Sequence, residues 1–328
     1  MKIMDNIYGI HHVTAIASSP QRNVDFYTTV LGLRLVKLTV NFDDPTTYHL
    51  YFGDELGRPG TVLTFFPWSD APKGHRGTGQ VIATSFLISE ESLDYWKTRL
   101  KNNHITVRGP FKRFDEQVLS LYDPDGLELE LVAHSSAQKR EVNVWNGGGI
   151  PSKHAIRGFY SVAISEEGFE RTADILTEEL GFSSVGQEKS RFRYEIQNSE
   201  HGASIVDVLC LPYTPSGYIG VGTVHHVAFR TSTDEKQKDL RLSIIKAGLN
   251  ATPIIDRTYF HSVYFREPGG VLFEIATDPP GFTVDQKLSE LGTRLMLPEW
   301  LESERASLGK ILPRLKLSPP SNVSELEK

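Results

Sequence analysis

The sequence has very little cysteine, and this excludes several classes of protein. Its 328 residues include one cysteine, Cys210, so no disulfide can form within the chain. Because Cys210 lies in the apolar run IVDVLCLP, we predict a buried, unreactive thiol in a strand rather than a nucleophile. Any bound metal must therefore be held by histidine and carboxylate side chains.

Positive charge and long apolar runs are also scarce. Lysines and arginines number 35 against 41 aspartates and glutamates, and the net charge of −6 provides no positive field that would hold nucleic acid. The sequence has no run of about 18 apolar residues that would span a membrane. Its start, MKIMDNIYGIHH, lacks the apolar core of a signal peptide. We therefore expect a cytoplasmic protein of about two domains, with no nucleic-acid or membrane partner.

What the chain does contain is internal repetition. The segment GIHHVTAI at 9–16 returns as TVHHVAFR at 223–230, and both have the β-branched composition of short strands. Two degenerate copies, ATSFLIS and FYSVAIS, carry Ser85 and Ser161 in place of the second histidine. The chain is therefore expected to contain four related units.

Each opening strand is followed by an amphipathic helix and three strand-like runs, so every unit reads β-α-β-β-β. In the first unit the helix is PQRNVDFYTTVLG, which Gly32 ends, and the runs are LRLVKLTVN, TYHLYFG and TVLTFFPW. The four units span about 9–68, 80–134, 156–212 and 222–277. The stretch 134–155, charged and containing Gly-Gly-Gly, separates the halves. We predict an α+β fold of two domains, 1–140 and 150–280, each with curled mixed sheets.

The remaining segment, 281–328, is predicted to be a tail with one helix. That helix begins near Pro298 in LPEWLESERASLGKILPRL. Its apolar stripe comprises Leu301, Leu308, Ile311, Leu312 and Leu315. The stripe packs either on the body of the chain or against another subunit, so a homo-oligomer is one of two alternatives.

The repeats also select the side chains that face a concave surface. These positions are His12, Ser85, Ser161 and His226 in the opening strands, and Phe65, Glu130, Asp207 and Glu274 in the closing strands. If the first and fourth units pair, His12, His226 and Glu274 converge, while Phe65 leaves the fourth corner without a ligand. Two imidazoles and one carboxylate form the facial triad suited to Fe(II), which must bind a substrate and O2 together. Zinc accepts the same ligand set.

The second and third units would form a cup without nitrogen ligands. Its inward positions are Ser85, Ser161, Glu130 and Asp207, and we predict that it binds no metal. An alternative stays open for Glu130, because LELEL also fits an alternating strand with Glu128 and Glu130 on its wet face.

These motifs resemble those of a known family. GIHHVTAI, NFDDPTTYHLYFGDELGRPGTVLTFFPW, HHVAF and DRTYFHSVYFREPGGVLFEIA are similar to the hydroquinone-cleaving dioxygenase branch of the vicinal-oxygen-chelate (glyoxalase/extradiol dioxygenase) superfamily. The similarity covers about 9–285. It implies four βαβββ modules and one non-haem Fe(II), held by residues that correspond to His12, His226 and Glu274.

The resemblance also implies roles for residues around the metal. Arg257 would bind the substrate, and Tyr264 would both bind it and take part in catalysis. Strict strand alternation would point His11 and His225 away from the site, but the family keeps them close to it, where they would orient ligands or move protons. His49 is a weaker candidate for the cup wall. No role is assigned to His75, His104, His134, His154, His201 and His261.

From the residues and the resemblance together we predict Fe(II)-dependent, extradiol-type cleavage of a hydroquinone-like or catechol-like ring by O2. Arg257 and Tyr264 favour a hydroquinone. One alternative is a glyoxalase-type lyase or isomerase that uses Zn, Ni or Mn as a Lewis acid. Such sites usually add a second carboxylate, and Phe65 leaves that place empty. Another alternative is a metal-free binding protein of the antibiotic-sequestering type, against which the intact histidines and glutamate argue.

Overall fold

The computed structural model describes residues 6–140, 143–196 and 204–317, which form two eight-stranded sheets with short helices. The strands are β1 Ile10–Ala17, β2 Arg34–Asn41, β3 Asp44–Gly53, β4 Val62–Pro67, β5 Gln80–Ile88, β6 Val107–Arg113, β7 Glu116–Tyr122, β8 Glu128–Ala133, β9 Phe159–Glu166, β10 Ser183–Glu188, β11 Arg191–Glu195, β12 Ile205–Cys210, β13 Val224–Thr231, β14 Ile255–Asp256, β15 Phe260–Arg266 and β16 Leu272–Pro280. The α-helices are α1 Pro20–Asp25, α2 Leu93–Asn102, α3 Glu170–Asp174, α4 Asp234–Lys246 and α5 Arg305–Ile311.

The strand order confirms the predicted pairing of the units. One sheet has the order β14-β15-β16-β13-β1-β4-β3-β2, so it combines the fourth unit with the first. The other has the order β10-β11-β12-β9-β5-β8-β7-β6 and combines the third unit with the second. The fold is thus the predicted α+β arrangement of four βαβββ modules in two curled mixed sheets. Both sheets take strands from both halves of the chain, and the division into domains at 1–140 and 150–280 stays a prediction.

The pairing of β1 with β13 brings the two HHV motifs together. These strands run antiparallel, with His12 opposite Ala228 and Thr14 opposite His226. Strand β16 then runs parallel to β13, with Glu274 opposite Ala228. All eight residues of β1 are buried, as expected for a strand at the centre of a sheet that is covered on both faces. The register therefore places the two histidines and the glutamate on three neighbouring strands.

The first helix ends where its glycine predicts. Ser19 caps the start of α1 by accepting a hydrogen bond from the Arg22 N–H, and a π-helical turn, Phe26–Val30, continues the helix. Gly32 then adopts φ +68°, a left-handed conformation that glycine takes without strain. A Cβ atom at Gly32 would lie 2.5 Å from Ile150 Cδ1, so the stretch between the halves packs directly against this helix end.

The tail packs on the body of the chain, and its helix is shorter than predicted. A 3₁₀ turn, Glu299–Glu304, precedes α5. Leu308 and Leu312 are buried in the main core, and Leu301 and Leu315 pack against it. The prediction that Ile311 belongs to the apolar stripe is wrong: it is 59% exposed at the last residue of α5, where the helix ends. The part of the tail after 317 lies outside the described residues, as does His201.

The structure also corrects the expectation for the cysteine. Cys210 lies in a strand as predicted, but it is only half-buried, because it is the last residue of β12. Among the described residues, no helix has both the length and the apolar character needed to cross a membrane.

Candidate metal centre

Three side chains from the first and fourth units point their donor atoms at one place. His12 Nε2 lies 3.3 Å from His226 Nε2 and 3.3 Å from Glu274 Oε2, and His226 Nε2 lies 3.0 Å from the same carboxylate oxygen. All three residues are buried. Within the ranges that the structure describes, this is the one group of three or more histidine, cysteine or carboxylate ligands close enough to hold an ion.

The spacing of these donor atoms suits a divalent transition metal. Ligand atoms about 2.1 Å from one ion lie about 3.0–3.4 Å from each other in octahedral or tetrahedral geometry. Glu274 Oε2 is buried and has no hydrogen-bond donor aligned with it. Its other oxygen, Oε1, accepts a hydrogen bond of 2.5 Å from Ser262 Oγ. The residues present therefore fit a metal, with Oε2 free to bind it and Oε1 fixed by the serine.

The neighbouring histidine in each HHV motif holds its metal-facing partner in place. His11 Nδ1 lies 2.8 Å from His12 Nδ1, and His225 Nδ1 lies 2.8 Å from His226 Nδ1. With a metal bound to the two Nε2 atoms, the Nδ1 atoms of His12 and His226 would carry the hydrogens and donate them to His11 and His225. The structure thus places His11 and His225 next to the site despite strand alternation. Each is the extra residue at a register shift of the β1–β13 pairing, and such a shift breaks strict alternation.

Burial controls the protonation of this group. Burial, followed by repulsion from the neighbouring His12, lowers the pKa of His11 well below its ordinary value. Burial and the nearby His226 lower the pKa of His225 to about 3, so both flanking histidines are neutral acceptors at pH 7. Burial alone would raise the pKa of Glu274, but His12 and His226 outweigh it and hold that pKa well below its usual range. The carboxylate is therefore ionised and the flanking imidazoles are neutral.

A small cavity opens from the candidate metal centre. The volume of this cavity is about 30 Å³. The lining comprises His12, Asn41, Phe42, Asp43, His49, Tyr51, Phe66, His226, Arg257, Phe260 and Tyr264. Aromatic rings dominate this lining, as is common in sites for flat organic molecules.

The structure places both Arg257 and Tyr264 in this wall. The Arg257 guanidinium lies 5.6 Å from the centre of the Tyr264 ring, and the Tyr264 ring lies 5.6 Å from that of His226. Burial and the charge of Glu274 raise the pKa of Tyr264, so its hydroxyl stays protonated at neutral pH. Arg257 also forms an ion pair of 2.9 Å with Asp43, from the turn between β2 and β3.

His49 lies in the wall as part of a hydrogen-bonded chain that sequence reasoning missed. Its Nδ1 is 2.8 Å from the Tyr51 hydroxyl, and its Nε2 is 2.9 Å from Thr64 Oγ1. Thr64 Oγ1 is in turn 2.8 Å from Thr14 Oγ1. Period-two alternation along β3 and β4 would have indicated Tyr51 and Thr64, because residues two apart share a face.

A family model confirms the resemblance seen in the sequence. The model of the Glyoxalase/Bleomycin resistance protein/Dioxygenase superfamily matches residues 9–131 and 158–275. The chain belongs to this superfamily. MhqO of Bacillus subtilis, named as a ring-cleaving dioxygenase, is 45% identical to it over 302 residues, which cover 92% of this chain and 94% of MhqO. The chlorohydroquinone/hydroquinone 1,2-dioxygenase of Sphingobium indicum is 34% identical over 316 residues, which cover 94% and 97%.

Solved structures agree with this membership. A crystal structure from Bacillus subtilis, described as a dioxygenase, has a TM-score of 0.91 and 43% identity, covering 95% of this chain and 99% of that one. Glyoxalase I from Zea mays has a TM-score of 0.60 at 13% identity, covering 82% and 92%, which is a likeness of fold alone.

In this superfamily member, Thr64 rather than Phe65 occupies the fourth corner of the first sheet. Thr64 lies opposite Thr14, as Glu274 lies opposite Ala228. Phe65 is fully buried in the core, with its ring 4.6 Å from that of Tyr27. The alignment that put Phe65 in the cup was wrong by one residue, and a slip of one residue reverses the face of a strand.

The second sheet needed a similar correction at its opening strand. Ala83 pairs with Ala163 and Ser85 with Ser161, as His12 pairs with Ala228 and Thr14 with His226 in the first sheet. Ala83, not Ser85, therefore corresponds to His12. Ser85 instead donates a hydrogen bond of 2.6 Å to Glu130 Oε2. Glu130 is only 8% exposed, which excludes the wet-face alternative.

Arginines neutralise the carboxylates of this second sheet. Arg113 Nη1 lies 2.9 Å from Glu130, and its Nε lies 3.0 Å from Glu116. Arg193 binds Asp207 through two nitrogens, each at 2.8 Å, and also contacts Glu116. The sequence patterns did not indicate Arg113, Glu116 or Arg193, because these residues lie in β6, β7 and β11, outside the opening and closing strands that the repeats compare.

Three of the histidines without an assigned role have partners away from the candidate metal centre. His261 pairs with Asp234, and His134 pairs with Asp115. His154 stacks on Tyr95 at 4.3 Å between ring centres. The positions of these three side chains are therefore explained by ion pairs near the surface and by ring packing.

Proposed function

We propose that the protein is a non-haem Fe(II)-dependent dioxygenase that cleaves a hydroquinone-like or catechol-like ring with O2. The observation that carries this proposal is the buried cluster of His12, His226 and Glu274 at the end of an aromatic-lined cavity. Two histidines and one carboxylate are the ligand set of non-haem iron oxygenases. The relatives named as ring-cleaving and hydroquinone dioxygenases support the same chemistry. The cleavage proposed is of the extradiol type, beside a hydroxyl-bearing carbon.

The residues around the metal have separate tasks in this proposal. When bound, Fe(II) supplies the one-electron chemistry that allows O2 to react with an electron-rich ring. The Arg257 guanidinium balances negative charge on a ring oxygen of the substrate. Tyr264, which stays protonated, donates a hydrogen bond to a substrate oxygen. The buried rings of Phe66 and Phe260 keep water away from the reacting ring.

A glyoxalase-type lyase or isomerase is less well supported. That chemistry usually adds a second carboxylate to the metal, and Thr64 takes the corresponding place. The Thr64 hydroxyl is already committed to His49 and Thr14. We therefore keep Zn, Ni and Mn as alternatives for the metal, but not as the preferred basis for function.

Metal analysis and oxygen uptake, measured on the same sample, test the proposed function. The protein is purified without air, and its iron, zinc, manganese and nickel are determined. Hydroquinone, methylhydroquinone or catechol is then added at an oxygen electrode. We expect about one iron per chain and oxygen consumed in step with loss of the ring. Stoichiometric zinc or nickel, with no uptake after reconstitution with Fe(II), would contradict the proposal.

Tyr264→Phe should slow the reaction while the protein keeps its metal. The variant loses one hydrogen bond to a charged oxygen, worth about 1.5–3 kcal/mol, so kcat/KM should fall about 10- to 100-fold. The metal should stay, because the aromatic ring beside His226 is unchanged. Steady-state kinetics and iron content check this, with Tyr213→Phe, at a 98% exposed tyrosine, as the control. Kinetics equal to wild type would reduce Tyr264 to a packing residue.

A further inference from the structure

The mouth of the cavity is built from a two-residue turn. Strand β2 ends at Asn41 and β3 begins at Asp44, and these two residues pair across the hairpin. The turn residues, Phe42 and Asp43, both line the cavity. Asn41 Oδ1 accepts a hydrogen bond of 3.0 Å from the Asp43 N–H, which shapes the turn.

The cavity as it stands is too small for an aromatic substrate. Its volume of 30 Å³ holds about two water molecules, since one water molecule needs a cavity volume of about 10–15 Å³. A cavity that binds benzene has a volume of about 150 Å³. This step rests on the proposed function, which requires a ring beside His12 and His226. Part of the wall must therefore move when a substrate enters.

The turn is the part of the wall that can move at least cost. Most of the remaining wall residues lie on strands of the sheet, including the buried Tyr51 and Phe260. The Asp43 side chain is 73% exposed, and the Phe42 ring rests against Trp300, which is itself 57% exposed. Moving the turn does not require the strands themselves to move, and its main cost is the contact that the half-buried Phe42 ring makes with the core.

One ion pair holds this turn against the opposite wall. Asp43 Oδ2 lies 2.9 Å from Arg257 Nη2. Arg257 is also the cation that the proposed function assigns to an anionic oxygen of the substrate. The Asp43 carboxylate is thus already bound to the guanidinium that the substrate oxygen would bind.

We infer that Asp43 is a specificity-determining residue that competes with the substrate for Arg257. A ring that carries an anionic oxygen displaces Asp43, and the β2–β3 turn then moves outward to admit the ring. A ring without such an oxygen leaves the ion pair in place and the cavity closed. The pair is exposed at Asp43, and such pairs contribute little, so displacement is easily reversible.

Binding measured without turnover tests this competition separately from the proposed reaction. The Fe(II)-loaded protein is titrated in the absence of air with para-nitrophenol, at a pH where it is ionised, and with its methyl ether para-nitroanisole, which cannot ionise. Asp43→Asn removes the competing charge. Because exposed ion pairs contribute about 0.2–1 kcal/mol, the Kd of para-nitrophenolate should fall about 1.4- to fivefold. Para-nitroanisole should bind the wild type much more weakly than para-nitrophenolate does, because it cannot replace the ion pair that it must break. Its Kd should fall by the same factor in Asp43→Asn, because the variant has no ion pair to break.

The control is Asp94→Asn, which makes the same change of charge at a 94% exposed aspartate paired with Lys97. It should leave both Kd values as in the wild type. Weaker binding of para-nitrophenolate to Asp43→Asn would mean that Asp43 positions Arg257. Wild-type binding of para-nitroanisole as tight as that of para-nitrophenolate would mean that an anionic oxygen is not needed to displace Asp43. Either result overturns the competition, as does a wild-type protein that does not bind para-nitrophenolate. Oxygen uptake plays no part in this experiment, so failure of the dioxygenase proposal would be recognised independently.

Discussion

His226→Ala should lose nearly all of its bound metal and more than about 99% of its oxygen uptake, because even partners one step beyond the ligands cost about 10- to 100-fold when removed. His226 Nε2 is 3.0 Å from Glu274 Oε2 and 3.3 Å from His12 Nε2, so its removal leaves only two of the three donors. Metal content by elemental analysis and oxygen uptake with hydroquinone check the prediction on the same preparation.

The fold should survive this substitution. His226 contributes its ring to the site, while the strand pairing of β13 with β1 and β16 uses backbone groups that alanine retains. Far-ultraviolet circular dichroism should therefore match that of the wild type. The matched control is His75→Ala, which removes an exposed histidine outside the cavity and should change neither metal nor uptake. Unchanged metal content in His226→Ala would remove His226 from the site.

Much of the candidate metal centre could be predicted because its motif is repeated in the sequence. The second HHV motif selects His226 once the first has suggested His12. The equivalent position in the closing strand of the fourth unit selects Glu274. Such patterns indicate which face of the sheet a side chain is on, because successive side chains of a strand point to opposite faces. The same alternation makes the prediction fragile, and an alignment one residue off put Phe65 where the structure has Thr64.

Residues outside the repeat positions could not be predicted in this way. Asp43 reaches Arg257 only because a hairpin turn folds over the cavity, and the two residues are 214 positions apart in sequence. Ser262 binds Glu274 across the β15–β16 pair, a contact that depends on register. In both cases, the deciding fact is a three-dimensional contact between side chains that no local pattern records.

The two sheets stabilise their inward carboxylates by different means. In the first sheet, Glu274 faces two imidazoles and a place for a metal. In the second sheet, Glu130 and Asp207 are bound by the guanidinium groups of Arg113 and Arg193. Buried carboxylates need such partners, since an unpaired buried charge is very costly. The duplicated architecture therefore carries a candidate reaction centre on one side and an ion-paired core on the other.

Arg193→Met should cause a large loss of stability. The Arg193 side chain is 6% exposed, and the carboxylates of Asp207 and Glu116 that it binds are fully buried. Removing one partner of a buried ion pair costs about 3–5 kcal/mol, because the remaining charge stays buried without compensation. The guanidinium also packs 4.1 Å from the centre of the Phe114 ring. The free energy of unfolding, from urea titration followed by fluorescence, should fall by that amount.

Two further variants separate charge from shape in this prediction. Arg193→Lys keeps a positive charge but loses the two parallel hydrogen bonds to Asp207, so we expect a smaller loss than in Arg193→Met. Combining Arg193→Met with Asp207→Asn removes the unpaired buried charge of Asp207 and should restore part of the stability. In all three variants, the metal content of the first sheet should remain that of the wild type, because the arginine lies in the other sheet. A loss below about 1 kcal/mol in Arg193→Met, the range of exposed pairs, would show that water or Arg191 already compensates Asp207.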